Sequence, residues 1–155
     1  MFSINPKNLV HSVLGHSYMV FFVGLVVGSL GELYFPVHFP NSGLKFIGTL
    51  FLFIGPLLIL WAQKTSSKTR KLRYEAESVI DTFAHGPYAF TRSPTHYGIG
   101  IMFLGYSFIV GSVWLVLTTL LAFVVAKVFF LKKEEKILVE KYGEGYRDYK
   151  KKVKF

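Results

Sequence analysis

Cysteine is absent from this 155-residue sequence, and acidic residues are scarce. Without cysteine the chain has no disulfide framework, no cysteine-ligated zinc or iron–sulfur site and no thiol nucleophile. Charged residues make up only 17% of the chain and aromatic residues another 17%, a balance that excludes intrinsic disorder. The sequence contains no phosphate-binding glycine loop, dinucleotide fingerprint or serine-hydrolase elbow. Its five histidines are scattered, so we expect no metal site.

Hydrophobic residues dominate what is present, at 52% of the chain, and the mean hydropathy is +0.41. They are gathered into four blocks, over about residues 13–35, 44–62, 97–110 and 112–131. The first two are long enough, as helices, to cross about 30 Å of hydrocarbon. We interpret the last two as a tight helical hairpin with its turn at Val110-Gly111-Ser112, and a single long tilted helix is the alternative. The predicted fold is therefore all-α, a single integral membrane domain over 1–155 with four transmembrane helices.

The positive charges predict the orientation in the membrane. Of the 18 Lys and Arg residues, 16 lie before the first block, in the connector 63–96 or in the tail 132–155. With four spans all three segments share one side, and the positive-inside rule makes that side, with both termini, cytoplasmic. A cleaved signal peptide is not expected, because the first block is long and three more follow it. Nucleic-acid binding is not expected either, because the aromatic residues lie in the blocks and not among the basic runs.

Two turn signals close the connector, Gly86-Pro87 and Ser93-Pro94. Tyr88 and Arg92 lie between them, and His96 follows directly. Such a segment is rigid and rich in hydrogen-bond donors, and it leads straight into a membrane helix. The plain interpretation is a proline-capped loop whose Arg92 binds a lipid phosphate; the other is a ligand site.

The tail begins with a pair of carboxylates, Glu134 and Glu135, within one turn of the fourth block. The plain interpretation is a solvated interfacial turn. The alternative turns one glutamate inward, toward the connector, where it could bind a cationic or amine-bearing ligand. Lys127 lies inside the fourth block, which makes it a functional candidate or a snorkelling lysine. Seven residues separate Lys127 from Glu134, so a regular α-helix would place both on one side.

From the connector onward the chain resembles the membrane methyltransferases of the isoprenylcysteine carboxyl methyltransferase and phospholipid methyltransferase group. The resemblance covers about Ile80 to Val153. Its first half-motif is Gly86-Pro87-Tyr88 followed by Arg92-Ser93-Pro94-Thr95-His96-Tyr97-Gly98. Its second consists of Glu134-Glu135, Leu138, Tyr142-Gly143, Tyr146, Tyr149 and Val153. A helical hairpin separates the two halves, as in that group.

The resemblance implies that the cofactor is S-adenosylmethionine, held at the cytosolic membrane edge by connector and tail. It implies a lipophilic acceptor that enters sideways from the bilayer. Glu134 would engage the amino group of the cofactor, and catalysis would rest on proximity and desolvation, with no catalytic residue assigned. By position, the cofactor-binding residues would be Ile80, Asp81, Thr82, Phe83, Tyr88, Ser93, Pro94, Thr95, His96 and Glu134.

Three positions depart from the group's pattern. Ser93 stands where a histidine is usual, and His96 stands where a tyrosine is usual. Phe130 stands where the isoprenylcysteine enzymes have an arginine near the acceptor carboxylate. Phe130 cannot pair with a carboxylate, and Lys127, about one turn earlier, differs from arginine in geometry. Candidate substrate-binding residues are thus Lys127, Phe130 and Arg92, and a lipid amine, a thiol or another lipophilic nucleophile fits as acceptor.

The predicted function is methyl transfer from S-adenosylmethionine to a lipophilic acceptor at the cytoplasmic membrane interface. The enzyme alternative is a membrane reductase, because some sterol reductases resemble this group in their final helices and use NADPH. The other alternative is a small membrane scaffold or transporter subunit, which would bind no cofactor. Membrane lipids are the predicted partners.

Overall fold

The computed structural model describes residues 6–39, 42–72 and 85–153, and these are helical apart from short connections. The helices are α1 (Pro6–Tyr34), α2 (Ser42–Leu72), a 3₁₀ turn (Gly86–Ala89), α3 (Pro94–Val110), α4 (Val113–Val125), a π-helical segment (Ala126–Leu131), α5 (Lys132–Tyr142) and α6 (Glu144–Lys152). No strand occurs within these ranges, and a single bridge joins His38 to Ser112. The all-α prediction is confirmed.

Three helical stretches are long and apolar enough to cross a bilayer: Gly15–Tyr34, Gly43–Ser67 and Val113–Glu140. Only 11–22% of the residues in their apolar windows are buried in the isolated chain, which is the reverse of a soluble core. The chain is therefore a membrane protein. Helix α3 has 17 residues, the lower limit for a transmembrane helix. The four-span count stays a prediction for that reason.

A two-residue turn separates α3 from α4. Gly111 ends α3 with a positive φ of 77°, a conformation that glycine adopts without strain. Ser112 then caps α4, because its side chain accepts a hydrogen bond from the Leu115 amide at 3.3 Å. The helices run back along each other, and the Tyr97 and Phe123 rings meet edge to face at 5.2 Å. The predicted hairpin is confirmed, and the single tilted helix is wrong.

Helices α2 and α3 touch through pairs of glycines. A Cβ atom on Gly55 would lie 2.6 Å from the carbonyl oxygen of Gly98. A Cβ atom on Gly48 would lie 2.6 Å from the carbonyl oxygen of Gly105. The pairs repeat at seven-residue spacing on both helices, so they occupy one face of each. Membrane helices commonly associate through small residues that let the two backbones pack closely. The hydrophobic effect does not drive their association, because lipid tails are themselves apolar.

Helices α1 and α4 pack in the same manner. A Cβ atom on Gly28 would lie 2.5 Å from the Thr118 hydroxyl, and one on Gly24 would lie 3.2 Å from the side chain of Ala122. Phe21, one turn earlier, is buried with Ala122 in a small apolar cluster. This seam fixes how far α1 can slide along α4.

The end of the bundle near the hairpin turn is tied together by the loop after α1. The Val113 amide donates to the Val37 carbonyl at 3.0 Å. Glu32 accepts a hydrogen bond from the Ser112 hydroxyl at 2.5 Å and pairs with His38 at 3.0 Å. We call this group the far clasp. It lies at the opposite end of the helices from the connector.

The helix continues without a break from the fourth apolar block into the tail. Backbone angles stay helical from α4 through the π-helical segment into α5, so residue 132 is not a helix end. Gly143, with φ of 60°, ends α5. Helix α6 then folds back, and Tyr146, Tyr149 and Val153 form a buried cluster against α5. This folding back brings the tail onto the connector.

Candidate functional site

The connector turn is seated on the end of α2. Gly86 has φ of 57°, and a Cβ atom there would lie 2.7 Å from the Thr65 hydroxyl. Only glycine fits, so the turn lies directly on α2 and Tyr88 is turned inward. The Tyr88 hydroxyl lies near the side chains of Ser66 and Thr95, which act to lower its pKa. Burial raises the pKa of Tyr88, and the nearby Glu134 carboxylate raises it further, so the phenol stays neutral and can donate.

The neighbouring glutamates of α5 have different surroundings. Glu135 is buried and forms an ion pair with Arg92 at 2.5 Å and another with Lys150 at 2.6 Å. Glu134 faces the connector, close enough to Tyr88 for its charge to act on the phenol. Its Oε2 atom is buried and meets no hydrogen-bond partner in the part of the chain that the structure describes. Glu135 therefore holds the structure together, whereas Glu134 has an acceptor oxygen available to a ligand.

A hydrogen bond from the tail holds the connector next to Glu134. The Tyr149 hydroxyl donates to the Tyr88 carbonyl at 2.6 Å. Burial raises the pKa of Tyr149, which keeps the hydroxyl protonated as a donor. Together with the Glu135 ion pairs, this bond links α6, α5 and the connector into one unit. The predicted meeting of connector and tail is seen in these contacts.

His96 occupies the first turn of α3, just before the predicted span 97–110. It is 5% exposed, and its Nε2 atom has no hydrogen-bond partner among the described residues. Burial lowers its pKa to about 4, so the imidazole is neutral at physiological pH. The ring of Tyr18, from α1, lies 6.5 Å away between centroids. A buried, unpartnered ring nitrogen of this kind is a candidate ligand contact.

The structure brings together four of the ten predicted cofactor-binding residues: Tyr88, Thr95, His96 and Glu134. Two others, Ser93 and Pro94, are buried where α3 begins. The Ser93 backbone carbonyl accepts hydrogen bonds there from the His96 and Tyr97 amides. The remaining four, Ile80, Asp81, Thr82 and Phe83, lie outside the described residues.

The three predicted substrate-binding residues lie apart. Arg92 is in the ion pair with Glu135. Lys127 is exposed; its ammonium donates to the Tyr97 hydroxyl at 3.2 Å and lies 5.6 Å from the centre of that ring. Phe130 is half-buried in the π-helical segment.

Lys127 and Glu134 differ in their surroundings. Lys127 is exposed, whereas the Oε2 atom of Glu134 is buried. The π-helical segment Ala126–Leu131, which takes more residues per turn than an α-helix, shifts the phase expected of a regular α-helix between them. π-Helical turns occur frequently at functional sites.

Sequence reasoning missed two polar residues of this end. Tyr18 comes from α1 and Ser66 from the last turns of α2. The only signal available was that both are polar residues at the margin of an apolar block. Without a motif in the first half of the chain, that signal was not specific enough to select them.

An apolar groove of about 430 Å³ opens beside the connector, between α2, the 3₁₀ turn and α3. Its lining consists of Leu58, Trp61, Pro87, Phe90, Thr91, Tyr97 and Ile101. Phe90 and Trp61 are 75% and 49% exposed, so the groove is open at the protein surface. It offers an apolar molecule a path along the helices toward the connector.

Comparison with known proteins identifies the family. No curated protein and no solved structure matches the chain significantly. The family model for phospholipid methyltransferases matches residues 44–145, about two thirds of the chain, and this range contains both the connector and the Glu134 region. The match confirms the resemblance carried by the two half-motifs. The chain belongs to the phospholipid methyltransferase family.

Proposed function

We propose that this protein transfers a methyl group from S-adenosylmethionine to a lipophilic acceptor at the membrane edge. The observation that carries the proposal is Glu134, a carboxylate with a buried, unpartnered oxygen at the end of apolar helices. It faces neutral hydrogen-bonding groups, Tyr88 among them. Family membership supports methyl transfer as the reaction.

The residues present fit the cofactor. S-adenosylmethionine supplies an electrophilic methyl group on a positively charged sulfur and also carries an ammonium group. Glu134 would accept hydrogen bonds from the ammonium, which explains why its oxygen lacks a partner within the described ranges. Tyr88, Thr95 and His96 would supply the polar contacts around it. The role of the chain is to bind and align the reactants away from water.

The acceptor would be a lipid-like nucleophile. The apolar groove supports this, because its lining suits a hydrocarbon chain and is open at the surface. Arg92 is engaged by Glu135, and Phe130 is apolar, so neither supports an acceptor that carries a carboxylate. A lipid amine or a thiol fits better.

The predicted topology is kept as part of the proposal. Residues 97–110 of α3 would be the fourth span, paired with α4 in the hairpin, within one domain over 1–155. The basic residues of the connector and tail flank the end that holds Glu134, which supports a cytoplasmic position for the site and for both termini.

The first test is calorimetric binding of S-adenosylhomocysteine to detergent-purified protein, with NADPH titrated in parallel. We expect micromolar binding of S-adenosylhomocysteine and none of NADPH. Glu134→Gln should weaken the affinity about 10-fold or more, the size of a charge-assisted hydrogen bond. Glu140→Gln, an exposed glutamate on the same helix, is the matched control and should bind as the wild type does.

The same titrations separate the alternatives. Binding of NADPH alone would favour the reductase, and binding of neither ligand by folded protein would favour a scaffold. Equal affinity in Glu134→Gln and the wild type would remove Glu134 from the site. If the cofactor binds, labelled methyl transfer to lipids that carry an amine, a thiol or a carboxylate identifies the acceptor class.

A further inference from the structure

Helix α1 lies outside the part of the chain that matches the family, 44–145, yet it reaches the site. Its Tyr18 ring lies 6.5 Å from the His96 ring. The Tyr18 hydroxyl is close enough to interact electrostatically with the Glu134 carboxylate and with Tyr88. Tyr18 on α1 and the connector therefore both face the Glu134 carboxylate.

The seam between α1 and α4 puts Tyr18 in that position. Phe21, Gly24 and Gly28 follow one another at spacings of three and four residues against α4. Ser17 continues this spacing and is fully buried, at 0% exposure. Tyr18, the next residue, is turned about 100° away from the seam, toward α3. Because the glycine contacts fix the register of α1, Tyr18 cannot slip past the site.

Tyr18 is not part of the buried seam. Ser17 is fully buried, whereas Tyr18 is 39% exposed beside a carboxylate that has an unpartnered oxygen. The groups around the Tyr18 ring are the neutral Tyr88, the neutral His96 and the acidic Glu134. Such a surface of aromatic faces and a carboxylate attracts a cation and repels an anion.

Resting on the proposed function, we propose that Tyr18 is a cofactor-binding residue whose ring recognises the positively charged sulfonium of S-adenosylmethionine. Glu134 then holds the ammonium, and Tyr18 forms the wall of the site that faces away from the connector. Residues 44–145, which match the family model, therefore do not form the complete site, because α1 supplies Tyr18. A ring at this place also favours the charged cofactor over its uncharged thioether product, which assists product release.

The test compares two ligands that differ in the charge on sulfur. Affinities for S-adenosylmethionine and S-adenosylhomocysteine are measured by calorimetry on the full chain in detergent, for the wild type and for Tyr18→Phe, Tyr18→Leu and Tyr18→Met. The last two remove the aromatic ring at similar volume. Phe22→Leu is the matched control, because Phe22 lies one turn along α1 and is 62% exposed.

We expect Tyr18→Leu and Tyr18→Met to weaken S-adenosylmethionine binding about fivefold more than S-adenosylhomocysteine binding, the range of a cation–π contact. Tyr18→Phe should retain most of the preference, and Phe22→Leu should retain all of it. Equal weakening of both ligands would show a packing role and overturn the inference. Wild-type protein that binds neither ligand would overturn the proposed function and the Tyr18 role together. Equal weakening of both ligands would overturn only the Tyr18 role and would leave the proposed function standing.

Discussion

The glycine contact between α2 and α3 predicts that adding a Cβ atom there lowers the stability of the protein. In Gly55→Ala the new Cβ atom would lie 2.6 Å from the Gly98 carbonyl oxygen and 2.9 Å from the Met102 Cβ atom. Ordinary contacts of a Cβ atom begin at 3.4 Å. The obstructing atoms belong to the backbone or lie next to it, so no side-chain rotation relieves the overlap. The two helices must separate by roughly 0.8 Å at this point.

The expected cost is the difference of two opposing terms. Overpacking of a closely fitted interface costs about 1–3 kcal/mol. Replacing glycine by alanine inside a helix stabilises the folded state by about 1 kcal/mol, because alanine has the higher helix propensity. The net destabilisation is about 0–2 kcal/mol, centred near 1 kcal/mol, which corresponds to a fall in Tm of up to about 6 °C for a chain of this length.

Gly15→Ala is the matched control, because it makes the same substitution inside another helix. Among the described residues, no atom lies within 4 Å of a Cβ atom placed at Gly15. Only the propensity gain remains, so its Tm should stay unchanged or rise by up to about 3 °C. Thermal unfolding in detergent, followed by circular dichroism at 222 nm, measures both variants. A Gly55→Ala variant that unfolds at or above the temperature of Gly15→Ala would refute the reasoning.

Two further predictions concern the site. Tyr149→Phe removes the donor to the Tyr88 carbonyl and should lower stability by about 1 kcal/mol and weaken S-adenosylhomocysteine binding; unchanged values on both counts would contradict this role of the hydrogen bond. Because the folded state holds the pKa of His96 at about 4, below its ordinary value of 6.5, the unfolded chain binds the proton first, so stability falls as pH drops from 6.5 toward 4. Two and a half pKa units amount to about 3 kcal/mol. His96→Gln should flatten the dependence of Tm on pH across that window, and an unaltered slope would show that other groups cause it.

Apolar runs and turn residues predicted much of the fold. Gly111 and Ser112 have the residue types of a helix end and a helix cap, so the hairpin turn could be located without coordinates. That Tyr88 and Glu134 belong to one site was implied by the family resemblance of the connector and tail motifs. Both are local signals, readable within a few residues of the chain.

What sequence reasoning could not supply depends on distant contacts. Whether Glu134 or Glu135 faces inward is decided by Arg92 and Lys150, which lie far apart along the chain and pair with only one of them. The phase error between Lys127 and Glu134 came from the π-helical segment, which no local residue pattern announces.

The far clasp and Tyr18 lie toward opposite ends of α1. Glu32 is bonded to Ser112 at one end of α1, and Tyr18 lies 14 residues away, or about 20 Å at 1.5 Å per residue. A tilt of about 5° about the clasp would displace Tyr18 by about 2 Å, which is a third of the ~6 Å range over which a cation contacts an aromatic ring. On the proposed role of Tyr18, we therefore expect substitutions in the far clasp to reduce ligand discrimination at the opposite end of the helices.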